Sequence, residues 1–333
     1  MTRAAVLAGL GATLPPRRVT NAELSLRLDT TDEWIRTRTG IRQRYWSTGM
    51  ATSDLAVAAG RDALKSAGID AVDALVLATT TPDHPCPATA PDVAAQLGLG
   101  AVAAFDIAAV CSGFVYGLAT AAAQLEAGHI GSALVIGAET YSTMLDPDDR
   151  ATAVIFGDGA GAAVLRAGRA SDPGAFVGFD LGSDGSLKDL MVTPGGGSRQ
   201  RTAQDGDTAS ASGYFTMQGR PVFRHAITRM AGSAQALLAR VGWAPASVDR
   251  FVGHQANVRI LHGVADHLGI DRDRAVVDVD RVGNTSAASI PLALCHAAGT
   301  GRLTAGHRVL LSAFGGGATW GSTALTWPDI TTV

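Results

Sequence analysis

The sequence predicts an α/β protein built from two copies of one strand–helix unit. Two observations carry this. Short apolar runs alternate with Ala-rich stretches of helical length, and three segments of the first half recur in the second half in the same order. Val72-Asp73-Ala74-Leu75-Val76-Leu77 returns as Val248-Asp249-Arg250-Phe251-Val252-Gly253, offset by 176. Phe105-Asp106-Ile107 returns as Val277-Asp278-Val279, offset by 172. Gly128-His129 returns as Gly306-His307, offset by 178, and an apolar run follows each, Ala133 to Gly137 and Val309 to Ala313.

The elements follow from period and punctuation. Ala4 to Leu10 is too short and too Gly-broken for a signal segment and ends before Pro15-Pro16, so it reads as a first strand. Leu75–Ala78, Leu134–Ile136, Val276–Val279 and Val309–Ser312 read as buried strands. Stretches 54–67, 90–97, 114–127, 225–241, 257–268 and 286–299 read as helices rich in Ala, able to pack closely between sheets. Strands alternating with helices predict mainly parallel sheets covered on both faces. The polar, turn-rich Gly168 to Pro173 is a natural join, dividing the chain into 1–168 and 169–333, and Gly195 to Ser212 reads as a surface loop.

Composition narrows the function. The chain has 333 residues, 47% hydrophobic and 17% charged, which suits a globular enzyme with a sizeable core. A net charge of −3 gives no case for nucleic acid or an anionic membrane surface. No stretch approaches the roughly 18 apolar residues of a membrane span. Three widely spaced cysteines make no disulfide framework, so a reducing, cytoplasmic setting is expected.

Three residues stand where chemistry is expected. Cys111 follows the extended run Ala104 to Val110 and precedes a helix, so a thiol sits in the first helical turn, where unpaired N–H groups favour thiolate. His254 stands in Gly253-His254-Gln255-Ala256-Asn257, and Asn284 in Gly283-Asn284-Thr285-Ser286. Both are read between strand and helix, where open α/β sheets bind ligands. The duplication puts Cys111 and Asn284 at nearly equivalent places, so a pseudo-twofold axis brings them face to face. A thiol, an imidazole and a carboxamide converging at strand ends form a covalent-catalysis constellation. The bland alternatives are a buried hydrophobe for Cys111, a structural strand-end His254 and a helix cap at Asn284.

Phe314-Gly315-Gly316-Gly317 follows a strand and lets backbone approach a reacting centre, as an oxyanion hole requires. Gly157-Asp158-Gly159-Ala160-Gly161 runs into Ala163-Val164-Leu165, a strand rather than a helix, so a dinucleotide loop is rejected. His262 and His267 diverge by about 140° around one helix, and no metal-ligand spacing occurs.

At these residues the chain resembles the β-ketoacyl-[acyl-carrier-protein] synthase III family of the thiolase superfamily. Six ordered blocks carry the likeness. They are Asp32-Glu33-Trp34-Ile35 with Thr37-Arg38-Thr39-Gly40-Ile41-Arg42, Cys111-Ser112-Gly113-Phe114, and Asp149-Arg150 with Phe156-Gly157-Asp158-Gly159-Ala160-Gly161. His254-Gln255-Ala256-Asn257, Asn284-Thr285-Ser286-Ala287 and Phe314-Gly315-Gly316-Gly317 complete them. The resemblance implies a five-layer αβαβα core, a homodimer, and an acyl-CoA substrate with no separate cofactor. It implies Cys111 as acyl acceptor, with His254 and Asn284 assisting decarboxylation of a malonyl thioester on acyl carrier protein. The N–H groups of Cys111 and Gly316 form the implied oxyanion hole. Trp34 and Arg150 are the implied sandwich for the adenine of CoA, Arg38 a nucleotide or phosphate contact, and Asn257 a pantetheine-side contact.

Two departures bear on specificity. The loop that reaches a partner's acyl pocket often carries an aromatic residue in this family, and here Cys86 takes that place in His84-Pro85-Cys86-Pro87. The helix after His254 often carries a basic pair for carrier docking, and here the pair is Asp266-His267, leaving Arg220, Arg224 and Arg259 to supply it. These departures keep a second reaction open, in which the acyl group passes to an alcohol, an amine or a carrier thiol without a new carbon–carbon bond.

Overall fold

The apolar runs of the first half form a five-stranded sheet, and those of the second half a four-stranded one. A computed structural model describes residues 3–204 and 211–332. The first sheet holds β1 (Arg3–Thr13), β2 (Ala74–Ala78), β3 (Ala103–Ile107), β4 (Ser132–Glu139) and β5 (Gly159–Arg169), in the order β1-β5-β4-β2-β3. The second holds β6 (Phe176–Ser183), β7 (Arg250–Gly253), β8 (Arg308–Gly315) and β9 (Thr319–Thr326), in the order β7-β8-β9-β6.

Helices α1 (Asp32–Thr39), α2 (Thr52–Ala67), α3 (Ala90–Gln96), α4 (Gly113–Ala127), α5 (Gly219–Val241), α6 (Val258–Leu268) and α7 (Ser289–Gly299) fall where the Ala-rich periodicity puts them, apart from α1. Packing sorts six of them into layers. Helices α2 and α3 cover the outer face of the first sheet, and α5, joined by α6, covers the outer face of the second. Helices α4 and α7 touch strands of both sheets and lie between them. The result is α, β, α, β, α, five layers.

The middle layer explains the small residues. Helix α4 faces a sheet on each side, and a methyl group on Gly117 would fall 2.9 Å from Val135. Phe114, Val115, Leu118, Ala121, Ala122 and Leu125 of α4 are buried in one core cluster with Ile290, Ala293 and Leu294 of α7. Each large apolar side chain buried there contributes roughly 1.5–3 kcal/mol.

Two expectations need correction. The sheets are mixed, not mainly parallel: β4 pairs antiparallel with β5, and β8 with β9. The turn at Gly316-Gly317-Ala318 reverses the chain within a few residues, and only an antiparallel partner can follow so short a connection. Residues Val276 to Val279 are not a strand. Gln255 occupies the backbone groups that a ladder needs: its amide donates to Val276 O, and its Oε1 accepts from Asp278 and Val279 N–H. One isolated bridge, Phe251 to Ala275, is what remains there, and a helical turn begins at Val279.

The segment 157–163 does run into a strand, as expected. The surface stretch 195–212 includes one helical turn, Ser198–Arg201, and its residues 205–210 lie outside the described residues. Among the described residues, no helix is long and apolar enough to cross a membrane.

Candidate active site

Two short, strained turns build the site. Cys111 lies in a 3-10 turn, Val110–Ser112, immediately ahead of α4, rather than within its first turn. A matching 3-10 turn, Ser286–Ala288, precedes α7. Val110 has φ +46° and Ser286 φ +49°, and these are the only non-glycine residues with positive φ among those described. Such backbone costs of order 1–3 kcal/mol and persists where the surroundings hold it.

The holding groups are two glycines, one in each sheet. A methyl on Gly315 would fall 2.8 Å from Cys111 N and 2.9 Å from Ala109 O. A methyl on Gly137 would fall 2.4 Å from Ala287 O. Each sheet therefore seats one strained turn through a glycine that no larger residue can replace without displacing backbone. The pairing also refines the expected equivalence. Val110 matches Ser286, so Cys111 corresponds to Ala287, and Asn284 stands three residues before that position.

The side chains converge on one apolar cavity. Val110, Cys111, Tyr141, Phe156, Phe215, Met191, Met217, His254 and Asn284 line it. Tyr141 stacks on Phe156 with centroids 4.5 Å apart, and Phe215 meets both edge-on at 5.3 Å. Phe156 lines the cavity, Met144 packs against the aromatic cluster, and Phe114 is buried in the central core.

The geometry fixes two hydrogen-bond donors. His254 is buried, and its Nδ1 lies 2.6 Å from Ser289 Oγ. That hydroxyl oxygen also accepts from Gln255 N–H at 3.2 Å, which leaves its own proton for Nδ1. Donation of that proton to Nδ1 places the ring's own proton on Nε2, the tautomer from which His254 can donate. Burial pushes its pKa down to about 3, so the ring is neutral. Asn284 Oδ1 accepts from Ser286 N–H at 2.9 Å, which leaves Nδ2 to donate. Its backbone is pinned by bonds to Ile155 O and Gly157 N. We expect the His254 ring to stay neutral between pH 8 and pH 5. Nitrogen NMR shifts of that imidazole should not move in this range, and an imidazolium signal at pH 6 would contradict the assignment.

The thiol differs from expectation. Burial pushes Cys111 up to about 12, Ser286 draws it down, and the charge of Glu139 pushes it up again. A helix N-terminus contributes at most about 2 kcal/mol toward the thiolate, and burial here works against it. Burial therefore favours the thiol form of Cys111, and loading it requires somewhere for the proton to go.

The outer residues group in two places. Arg38 and Arg150 both stand over the Trp34 ring, their guanidinium carbons 4.9 and 5.0 Å from its centroid. Arg150 also donates to Asp29 O at 2.6 Å. Arg38, Arg220, Arg224 and Arg259 surround a surface depression with Phe223. Asn257 caps α6, accepting from Arg259 N–H at 2.8 Å and donating to Arg38 O at 3.0 Å, and it also lines the apolar cavity. Cys86 is exposed and is not among the residues lining the cavity of its own chain.

Known proteins decide the family. The model for 3-oxoacyl-[acyl-carrier-protein (ACP)] synthase III matches residues 105–185, and that for its C-terminal part matches residues 238–327. A β-ketoacyl-[acyl-carrier-protein] synthase III of Streptomyces coelicolor is 72% identical over 331 residues, covering 99% of both chains. The chain belongs to the β-ketoacyl-[acyl-carrier-protein] synthase III family. It is an enzyme of the acyltransferase class with the thiolase-type α/β fold. The crystal structure of the Pseudomonas aeruginosa synthase III superposes with a TM-score of 0.93 at 49% identity, covering 98% of this chain and 99% of that one. The priming β-ketosynthase of the R1128 polyketide biosynthetic pathway superposes with a TM-score of 0.90 at 33% identity, covering 98% and 97%.

Within this synthase fold, sequence reasoning missed Glu139, Tyr141, Phe215, Ser286 and Ser289 as site residues. Two had a readable signal. Glu139 ends the apolar run Leu134 to Ala138, and a lone acid closing a buried strand is a rare placement. Ser289 repeats the hydroxyl of Ser286 three residues on, at the start of an otherwise apolar helical stretch.

Proposed function

We propose that this synthase moves an acyl group from an acyl-CoA onto Cys111 and then condenses it with a malonyl thioester on acyl carrier protein. One observation supports this most strongly. A thiol and two oriented neutral donors, His254 Nε2–H and Asn284 Nδ2–H, face one apolar cavity. Cys111 sulfur attacks the CoA thioester, the carbon–sulfur bond to CoA breaks, and CoA leaves. The N–H groups of Cys111 and Gly316 hold the oxyanion of the tetrahedral intermediate. The malonyl thioester then loses carbon dioxide, and the two donors stabilise the enolate that forms. Neutral donors suit this step, because they strengthen as charge develops on the oxygen and do not bind the malonyl carboxylate tightly beforehand. The enolate carbon attacks the Cys111 acyl carbonyl, and the thiolate departs.

The outer residues fit the rest of the substrate. An adenine ring between Trp34 and Arg150 requires the guanidinium to leave its present place on the indole, a small motion of an exposed side chain. Arg220, Arg224, Arg259 and Arg38 offer the acidic carrier protein a basic rim. The acid that departs from the family pattern is already paired, since Asp266 binds Arg272 at 2.6 Å. The two halves, 1–168 and 169–333, are read as the duplicated units that place nucleophile and donors on facing turns. Intact-mass analysis with a panel of acyl-CoAs, with and without malonyl carrier protein, tests the reading. It predicts an acyl adduct that disappears on condensation. A stable adduct with no release of carbon dioxide indicates acyl transfer without carbon–carbon bond formation.

Primer size follows from Cys86. If its loop enters a partner's acyl pocket in a homodimer, a small side chain there leaves space, and the enzyme accepts acyl groups longer or more branched than acetyl. Cys86→Phe should then shift preference toward acetyl by roughly tenfold to a hundredfold, the scale of a methylene or two in an apolar pocket. Acylation rates with acetyl-, butyryl- and branched acyl-CoA decide this. A wild-type preference for acetyl that the substitution leaves unchanged refutes the gate.

A further inference from the structure

Behind Cys111, away from the cavity, lies a buried carboxyl group that none of these steps uses. Glu139 closes β4 and is fully buried, with Oε1 3.0 Å from Ser286 Oγ. Its other contacts are uncharged: Thr80 N–H at 3.1 Å and Thr81 Oγ1 at 2.9 Å, both to Oε2. The titratable groups that face it are Cys111 and Tyr141. Ser286 is one of the two strained residues of the site; its turn packs against the Cys111 turn, a methyl on Gly113 falling 3.4 Å from Ala287 Cβ, and its hydroxyl draws the Cys111 thiol down.

We propose that Ser286 and Glu139 form a relay that takes the Cys111 proton during acyl loading and returns it during condensation. This inference deepens the reading above and rests on it for the second step alone. In loading, the Cys111 S–H proton passes to Ser286 Oγ as the Ser286 proton passes to Glu139. The sulfur electron pair forms the new thioester, and CoA leaves as thiolate and is protonated by solvent. In condensation, the carbon–sulfur bond to Cys111 breaks, and the departing thiolate recovers the proton along the same path. Glu139 touches no substrate and acts only through Ser286.

The magnitudes fit this role. Burial pushes the Cys111 thiol up to about 12, so free ionisation at neutral pH is disfavoured and a nearby proton acceptor helps loading. His254 is too weak a base to help, at about 3. Burial pushes Glu139 up to about 7, against the pull of Thr80, Thr81 and Ser286, so it both accepts and returns a proton near neutrality.

Alkylation of Cys111 by iodoacetamide, followed by intact mass from pH 5.5 to 9, tests the relay without any acyl substrate. In wild type the rate should climb as Glu139 ionises and level off above about pH 7. In Glu139→Gln the plateau should vanish, the rate should climb steadily with hydroxide, and at pH 7.5 it should fall about 10²–10³-fold. Ser286→Ala, which leaves the carboxylate in place, should give the same profile. It also carries the test if Glu139→Gln does not fold. A merely structural role leaves the wild-type plateau in both variants, and that result overturns the relay. Acyl-CoA loading run in parallel separates the two proposals. Failure of wild type to load, with the alkylation plateau intact, removes the proposed reaction and leaves the relay standing.

Discussion

Cys111→Ala should abolish covalent loading and lower condensation by about 10⁶-fold, the scale of removing an enzyme nucleophile. The variant should fold. Cys111 is a small buried side chain on a turn held by backbone contacts to Gly315, and deleting its sulfur disturbs neither that seat nor α4. Intact mass after incubation with acyl-CoA should show no adduct, and melting should stay close to wild type. An adduct of normal yield in this variant would place the acyl group elsewhere.

His254→Ala and Asn284→Ala should separate the two half-reactions. Each removes one donor that the geometry aims into the cavity, and loss of one donor to a developing oxyanion costs about 10²–10³ in rate. Malonyl decarboxylation should fall by that factor in each variant and on the order of 10⁴ in the double variant. Acyl transfer to Cys111 should be spared, because its oxyanion is read as resting on the N–H groups of Cys111 and Gly316. Carbon dioxide release and acyl-enzyme formation, measured on the same preparations, distinguish the steps. Equal loss of both steps in both variants contradicts the division of labour.

Much of this site was legible in the sequence because its parts are local. Cys111 and His254 each stand in a short block whose flanking apolar run announces a turn after a strand, whereas Asn284, read the same way, follows the helical turn Val279–Val282. Gly315 was readable as a place where backbone comes close, and the structure shows that it meets the Cys111 turn. The duplicated segments predicted two facing units, and the two sheets hold residues 3–169 and 176–326.

What escaped was set by contacts across long separations. The side chain of Gln255 replaces a strand at 276–279, which no local pattern reveals. Apolar runs do not encode direction, so mixed pairing was read as parallel. The Cys111 thiol looked acidic from its helix alone. Its burial beneath the other half of the chain, and Glu139 lying 147 residues from its partner Ser286, reverse that expectation. Tyr141 enters the cavity from the 3-10 turn Tyr141–Met144 and Phe215 from a loop beside Tyr214, and neither stretch has a period that points the ring inward.

Peptide mapping after a single exposure to acyl-CoA tests the central claim most directly. All three cysteines are free thiols, one exposed and two buried, so each is a distinguishable candidate for the label. The account predicts the acyl mass on the peptide containing Cys111, and its loss when malonyl carrier protein is added. Acyl mass on Cys86 or Cys295, with Cys111 unmodified, would contradict it.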